Sequence, residues 1–214
     1  MSTEKTLKKE ESFNNLYKKI DATSKTRFNA SDRLRLHSKY STYTVVIISL
    51  GLILISLMQA YSLGKNINND LVTLIQIFST IAVLVYSLLI DKNDYSNLSE
   101  KMYSCATQLG ELKQKIHPFL NQPYSQVSYD GFRDSYYNIL KLFETHSNNY
   151  SSSDHIRARL VMPENYTIKG MEWWYSKLHI YWTLFLDFFS YILVIGTLAV
   201  VLYWVSFDWV WFWN

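Results

Sequence analysis

The chain has 214 residues, with 21 Lys and Arg against 18 Asp and Glu. Its single cysteine, Cys105, excludes an internal disulfide and a thiolate zinc site. A net charge of +3 suits a surface facing anionic lipid better than it suits nucleic acid, so no direct DNA recognition is expected.

In chain order, residues 1–41 read as a basic helix. They contain no Gly or Pro, and Phe13, Leu16, Tyr17 and Ile20 recur at helical spacing. Nothing breaks this helix before residues 42–64, which carry no charge, and residues 71–90 are uncharged as well. Each run is long enough to cross a hydrocarbon core as a helix, about 20 residues. Residues 42–90 are therefore expected to form a transmembrane hairpin with a short polar loop. The mean hydropathy of −0.06 hides these runs because polar helices dilute it.

Residues 91–178 are polar and helical. Tyr95, Leu98, Met102, Cys105, Leu109, Leu112 and Ile116 alternate by three and four, an a/d seam. The same seam extends backward through Leu88, Leu84, Ile81, Ile77 and Leu74, interrupted only by Asp91. One continuous helix over residues 71–117 is predicted, about 70 Å long at ~1.5 Å per residue. Pro118 and Pro123 end it. Tyr129, Phe132, Tyr136, Ile139, Leu140 and Phe143 then mark one face of a further helix. A Ser-rich turn and a short helix over 155–162 follow, ending before Pro163. These polar helices read as too thin for a separate globular domain. Their seams need partners, either each other or other copies, and Leu98, Met102, Cys105, Leu109, Leu112 and Ile116 are assigned as an oligomer seam. Residues 179–207 form a third span, and residues 208–214 a Trp-rich tail. The fold class is all-α membrane protein, with three transmembrane helices and a cytoplasmic helical stalk.

Orientation follows from the basic residues. Ten lie in residues 1–41, one in the loop between the first two spans, ten in 91–178 and none after Phe207. Basic loops stay inside, which places the N-terminus in the cytoplasm and the C-terminus outside, in a bacterial inner membrane. All seven tryptophans flank the third span, as expected of indoles at the two headgroup layers. Trp182 and Trp204 are 22 positions apart, about 33 Å of helix against a hydrocarbon thickness of ~30 Å. The Asn-x-Ser/Thr triplets at Asn29, Asn97, Asn149 and Asn165 fall on the cytoplasmic side and read as chance matches.

No catalytic constellation is visible, and no enzymatic activity, cofactor or metal is expected. His37, His117, His146, His155 and His179 form no HExxH pattern, and the scattered glycines form no phosphate-cradling loop. Polarity inside the spans remains. Thr73, Gln76, Thr80 and Ser87 make a stripe on the second span, and Ser49, Ser56 and Gln59 one on the first, with Thr42 on the same face. Two readings stand: the stripes line a pore between copies, or they pack and hydrogen-bond helices to one another. Asp187 is the one ionisable residue in the third span. It faces a bundle interior with a functional role, or stays hydrated near the inner headgroups beside His179 or Lys177.

The run Arg27-Phe28-Asn29-Ala30-Ser31-x-Arg33-Leu34-x-x-His37 and the run Phe143-Glu144-x-His146-Ser147-Asn148-Asn149 resemble the fifth subfamily of the SLATT domains, the SMODS- and SLOG-associating two-transmembrane effectors. The basic N-terminal helix, the tight hairpin and the third span are also similar to that subfamily. The resemblance implies a pore-forming effector of antiphage defence that acts by abortive infection. It also implies a homo-oligomer in the lipid bilayer, triggered by a neighbouring reverse transcriptase or a nucleotide-signal sensor. A different reading of the same residues is a non-conducting membrane anchor that recruits a cytosolic defence enzyme such as a reverse transcriptase.

Overall fold

The computed structural model describes residues 2–64, 70–143, 151–163, 165–166 and 170–207, with side chains from residue 11 onward and excepting that of residue 121. The described residues form six α-helices and no strand: α1 (Ser2–Ala60), α2 (Asp70–Asn93), α3 (Tyr95–Ile116), α4 (Gln126–Leu142), α5 (Ser152–Leu160) and α6 (Met171–Ser206). A short 3-10 segment, His117–Asn121, with Pro118 in its first turn, closes α3. Three helical stretches are long and apolar enough to cross a membrane, Glu11–Ala60, Asp70–Leu120 and Met171–Ser206. The chain is thus an all-α membrane protein.

α1 is uninterrupted from the basic segment through the first span, as the lack of Gly and Pro before Gly51 dictates. It ends in a Schellman motif. Ser62 adopts φ 52°, Leu63 N–H donates to Met58 O at 2.8 Å, and Ser62 N–H to Gln59 O at 3.1 Å, which satisfies carbonyls that the helix end would leave open. Gly64 follows with φ 111°. A Cβ there would lie 2.7 Å from Val205 O, so this turn requires glycine on two counts.

The predicted single helix over 71–117 is corrected: it breaks at Asp94, which has φ 41°. Aspartate is among the few residues that enter the left-handed region at modest cost. The Asp94 amide keeps bonds of 3.3 Å to the carbonyls of Ile90 and Asp91, so the chain turns without abandoning its hydrogen bonds. The interruption comes three residues beyond Asp91.

The chain divides into two compact units, Met1–Arg35 with Ser96–Thr183, and Leu36–Tyr95 with Leu184–Asn214. In unit 1, Phe13, Leu16 and Ile20 of α1 pack with Cys105, Leu109, Leu112 and Ile116 of α3 and Tyr136 of α4. Phe13 sits at the centre of an aromatic group, with Tyr129 edge-on at 5.5 Å and Phe119 stacked at 6.4 Å. Eight buried side chains, each worth about 1.5–3 kcal/mol when removed from water, make a core of its own. The expectation of helices too thin to fold as a globular domain is corrected accordingly. So is the oligomer seam. Met102, Cys105, Leu109, Leu112 and Ile116 are buried within the chain and Leu98 half-buried, so the partners of this stripe are α1 and α4 of the same molecule. α3 is bound to α1 by polar contacts too. Ser31 Oγ donates to Ser99 O and Ser99 Oγ to Ser31 O, each at 2.9 Å, and Ser24 Oγ donates to Ala106 O at 2.8 Å.

Unit 2 holds the apolar halves of α1 and α6 together with α2. Its small core is Ile55, Val72 and Val205. Most of its large apolar side chains point outward, among them Leu50, Ile53, Leu74, Phe78, Leu84 and Ile192. Outward apolar faces on helices of this length define the surface a bilayer would cover.

Candidate functional site

Two sets of residues carry the functional expectation: the motif on α1 and the polar stripes of the spans. The motif residues are structural ties first. Arg33 reaches the Asp154 carboxylate from Nε at 3.2 Å and from Nη2 at 3.1 Å. Asp154 is fully buried, and Arg33 retains 12% side-chain exposure. Asn29 Nδ2 donates to Asp154 O at 3.1 Å. Asp154 also accepts from Ser151 N–H at 2.9 Å, completing a capping box at the start of α5. One buried carboxylate thereby joins α5 to the motif. Arg27 Nη1 lies 3.2 Å from Met102 Sδ, Phe28 meets Tyr103 edge-on at 5.5 Å, and Leu34 is buried. His146, Asn148 and Asn149 lie outside the described residues.

His37, in unit 2, is enclosed by aromatics. Its ring stacks on Phe188 at 4.6 Å and on Tyr95 at 5.6 Å, and Nδ1 is 3.2 Å from the Tyr191 hydroxyl. Asp187 stands one residue before Phe188, and its Oδ2 is buried with no hydrogen-bond partner among the described residues. Cys105 is buried, and burial pushes its thiol above the ordinary value, against a smaller opposing pull from Arg27; it is a core residue and a poor nucleophile. No cluster of three or more His, Cys, Asp or Glu able to hold a metal occurs among the described residues.

The polar stripes meet at one point. Gln76 Nε2 donates to Ser56 Oγ, and Ser56 in turn donates to Leu52 O at 3.0 Å. Thr80 Oγ1 donates to Gln76 O at 2.8 Å. Thr73, Thr80, Ser87, Ser56 and Thr42 are exposed, while Ser49, Gln59 and Gln76 are half-buried. The space among the three spans is different. A cavity of about 380 Å³ there is lined by Ile48, Leu52, Phe78, Leu193, Val194 and Leu198, with Ser79, Tyr86 and Thr197 as its few polar members. It contains no charged side chain.

Sequence reasoning missed Asp154, the buried partner of the motif. The pattern Ser151-x-x-Asp154 is a capping-box signature and marked the start of α5, yet nothing local linked it to Arg33, 121 residues away.

Three helices long and apolar enough to cross a membrane define the class as an integral membrane protein. The chain belongs to the family described as SMODS and SLOG-associating 2TM effector domain family 5, whose model matches residues 9–204. The match includes most of α1, both spans of the hairpin and nearly all of α6, so the third long helix falls within it. No curated protein and no solved structure matches the chain.

Proposed function

We propose that this membrane effector assembles from several copies in a bacterial inner membrane and permeabilises it when a partner sensor triggers it, ending the infected cell. The carrying observation is the sidedness of unit 2. Its internal cavity is apolar, whereas Thr73, Thr80, Ser87 and the Ser56–Gln76 pair lie toward its outer side. An ion path through one chain would meet mostly apolar walls, with Ser79, Tyr86 and Thr197 the few polar groups. Hydroxyl and amide groups facing hydrocarbon cost free energy unless they are hydrogen-bonded; Ser56, Gln76 and Thr80 make such bonds within the chain, and a ring of copies would satisfy their remaining polar capacity and give a polar lumen. In this reading the basic N-terminal segment is cytoplasmic and the trigger acts on unit 1. A neighbouring reverse transcriptase or a nucleotide-signal sensor is the implied partner.

The test is a membrane-potential dye in cells expressing the chain with its genomic neighbours. A Gln76→Leu/Thr80→Leu variant is expected to reach the membrane at normal levels and to lose depolarisation. Unchanged depolarisation removes the lining assignment. An effector that never depolarises the cell, with the wild-type sequence and its trigger present, is instead an anchor for a cytosolic defence enzyme. The bond from Gln76 to Ser56 favours that second reading, since packing within one chain accounts for it.

A further inference from the structure

We propose that unit 1 carries a binding site for a small phosphate-bearing molecule, in a cleft between α1, α4 and α5. The cleft has a volume of about 540 Å³, within the range of roughly 300–1,000 Å³ that encloses small-molecule ligands. One face of α1 supplies its floor. Lys18, Lys19, Ala22, Thr23, Thr26 and Arg27 all line it, adjacent pairs repeating every four residues, which places them on a single helical stripe. Tyr136 comes from α4, His155 from α5, and Asn165 and Tyr166 from the segment beyond.

The charge in this cleft is of one sign. Lys18, Lys19 and Arg27 line it, and no carboxylate does among the described residues. The one acid on α1 between residues 15 and 27 is Asp21. It is held by Lys25 at 3.2 Å and Lys113 at 2.8 Å, neither of which lines the cleft. Lys19 leans over the rings of Tyr136 and Tyr137 at 5.2 and 5.3 Å, which fixes its stem while leaving its charge uncompensated. Lys18 makes no ion pair with any described residue.

The polar side chains of the walls are held by bonds within the protein, which leaves the cationic side chains to meet an anion. Thr26 Oγ1 donates to Ala22 O at 2.8 Å, so the 3.4 Å contact between Thr26 and His155 Nδ1 is assigned with the imidazole donating. His155 is thereby tied to α1 through Nδ1, and its ring forms part of the cleft wall. Likewise Thr23 Oγ1 donates to Lys19 O at 2.8 Å, and Tyr136 donates to Thr23 at 3.2 Å. The cleft thus presents cations and an imidazole, with Tyr136 and Tyr166 as flat walls. Phosphate monoesters, diphosphates and anionic phospholipid headgroups share the chemistry it would recognise.

The test uses the full chain in maltoside micelles, which carry no phosphate. Pyrophosphate, ATP, adenosine and a water-soluble short-chain phosphatidylglycerol are titrated by calorimetry. Saturable, salt-weakened binding of at least one phosphate-bearing probe is expected, with none for adenosine. Tighter binding of pyrophosphate and ATP assigns the site to a soluble ligand, and binding of the phospholipid alone assigns it to a headgroup. Lys18→Glu/Lys19→Glu is expected to weaken binding by about tenfold or more, the scale of one lost charge-assisted bond. Lys101→Glu, an exposed charge reversal on α3 outside the cleft, is expected to leave binding unchanged. The proposal is overturned if no phosphate-bearing probe saturates, if the double variant binds as tightly as wild type, or if Lys101→Glu weakens binding equally. Binding is read without any conductance measurement, so it stands or fails separately from the pore reading.

Discussion

Unit 1 and unit 2 use the same helical backbone and bury opposite surfaces. In unit 1 the apolar stripe of α3 turns inward onto α1 and α4, and the charges remain outside or paired. In unit 2 most large apolar side chains turn outward, and Ile55, Val72 and Val205 form a small inner cluster. Leu109 is 0% exposed and Leu84 is 61% exposed, although both lie on the same projected heptad seam. Periodicity finds a stripe; the solvent beyond the stripe decides which way it faces. α1 makes the comparison within one helix, since its first half obeys the rule for water and its second half the rule for lipid.

The comparison breaks first at the buried ion pair. Arg33→Ala leaves the fully buried Asp154 carboxylate without its cation, and a loss of about 3–5 kcal/mol is expected. Limited proteolysis of the micellar protein reads it as cleavage in unit 1. Replacing both partners, Arg33→Met with Asp154→Leu, is expected to recover most of that loss, short of about 1 kcal/mol for the forfeited cap. A single variant no less stable than wild type would show that the two groups are not desolvated together.

The next largest effect separates two leucines. Leu109→Ala opens a cavity in the unit 1 core and is expected to cost about 2–5 kcal/mol. Leu84→Ala removes an outward side chain and is expected to change stability by no more than about 0.5 kcal/mol. Denaturant titration in one detergent gives both numbers, and equal losses would erase the distinction between the units.

The sequence carried the stripes, the three spans and the continuity of α1, because uncharged length and the absence of Gly and Pro are local properties. It did not carry the partner of each stripe. The a/d seam through Leu109 is as compatible with a second copy as with α1, and only the fold back of α4, through Tyr136 and its neighbours, settles who covers it. The break at Asp94 was hidden for a related reason. Asp91 and Asp94 look equally disruptive by charge, and the positive φ falls on the second. The motif from Arg27 to His37 was legible as a set of residues, while its anchor Asp154 and the cleft between α1, α4 and α5 were not. Both arise from residues more than a hundred positions apart, and helical spacing has no reach across such a gap.

In unit 2 close approach replaces core volume as the quantity to perturb. A Cβ at Gly51 would lie 2.7 Å from Leu198 Cδ2, the kind of small-residue contact that lets spans pack without a hydrophobic drive between them. Gly51→Ala asks only a leucine tip to move and is expected to be mild. Gly51→Val is expected to cost about 1–3 kcal/mol by overpacking, visible as weaker resistance to SDS. Gly131, where a Cβ meets nothing within 4 Å, is the matched site in unit 1, and Gly131→Ala is expected to stabilise α4 slightly through helix propensity.

The smallest effect tests the electrostatics of unit 1. Burial draws the Lys113 ammonium down, but the hydrogen bond and charge of Asp21, helped by Tyr17, outweigh it, and the net shift is upward from 10.5. A lysine raised on folding stabilises the native state fully below its unfolded value, and that stabilisation fades as pH climbs through the higher folded value. Lys113 retains 28% side-chain exposure, so solvent limits the contribution to about 1 kcal/mol or less. Lys113→Met is therefore expected to lower the unfolding midpoint slightly at pH 7, with the difference from wild type shrinking only in strongly alkaline buffer. A difference that stays unchanged across the alkaline range would remove the assignment to the Lys113 ammonium.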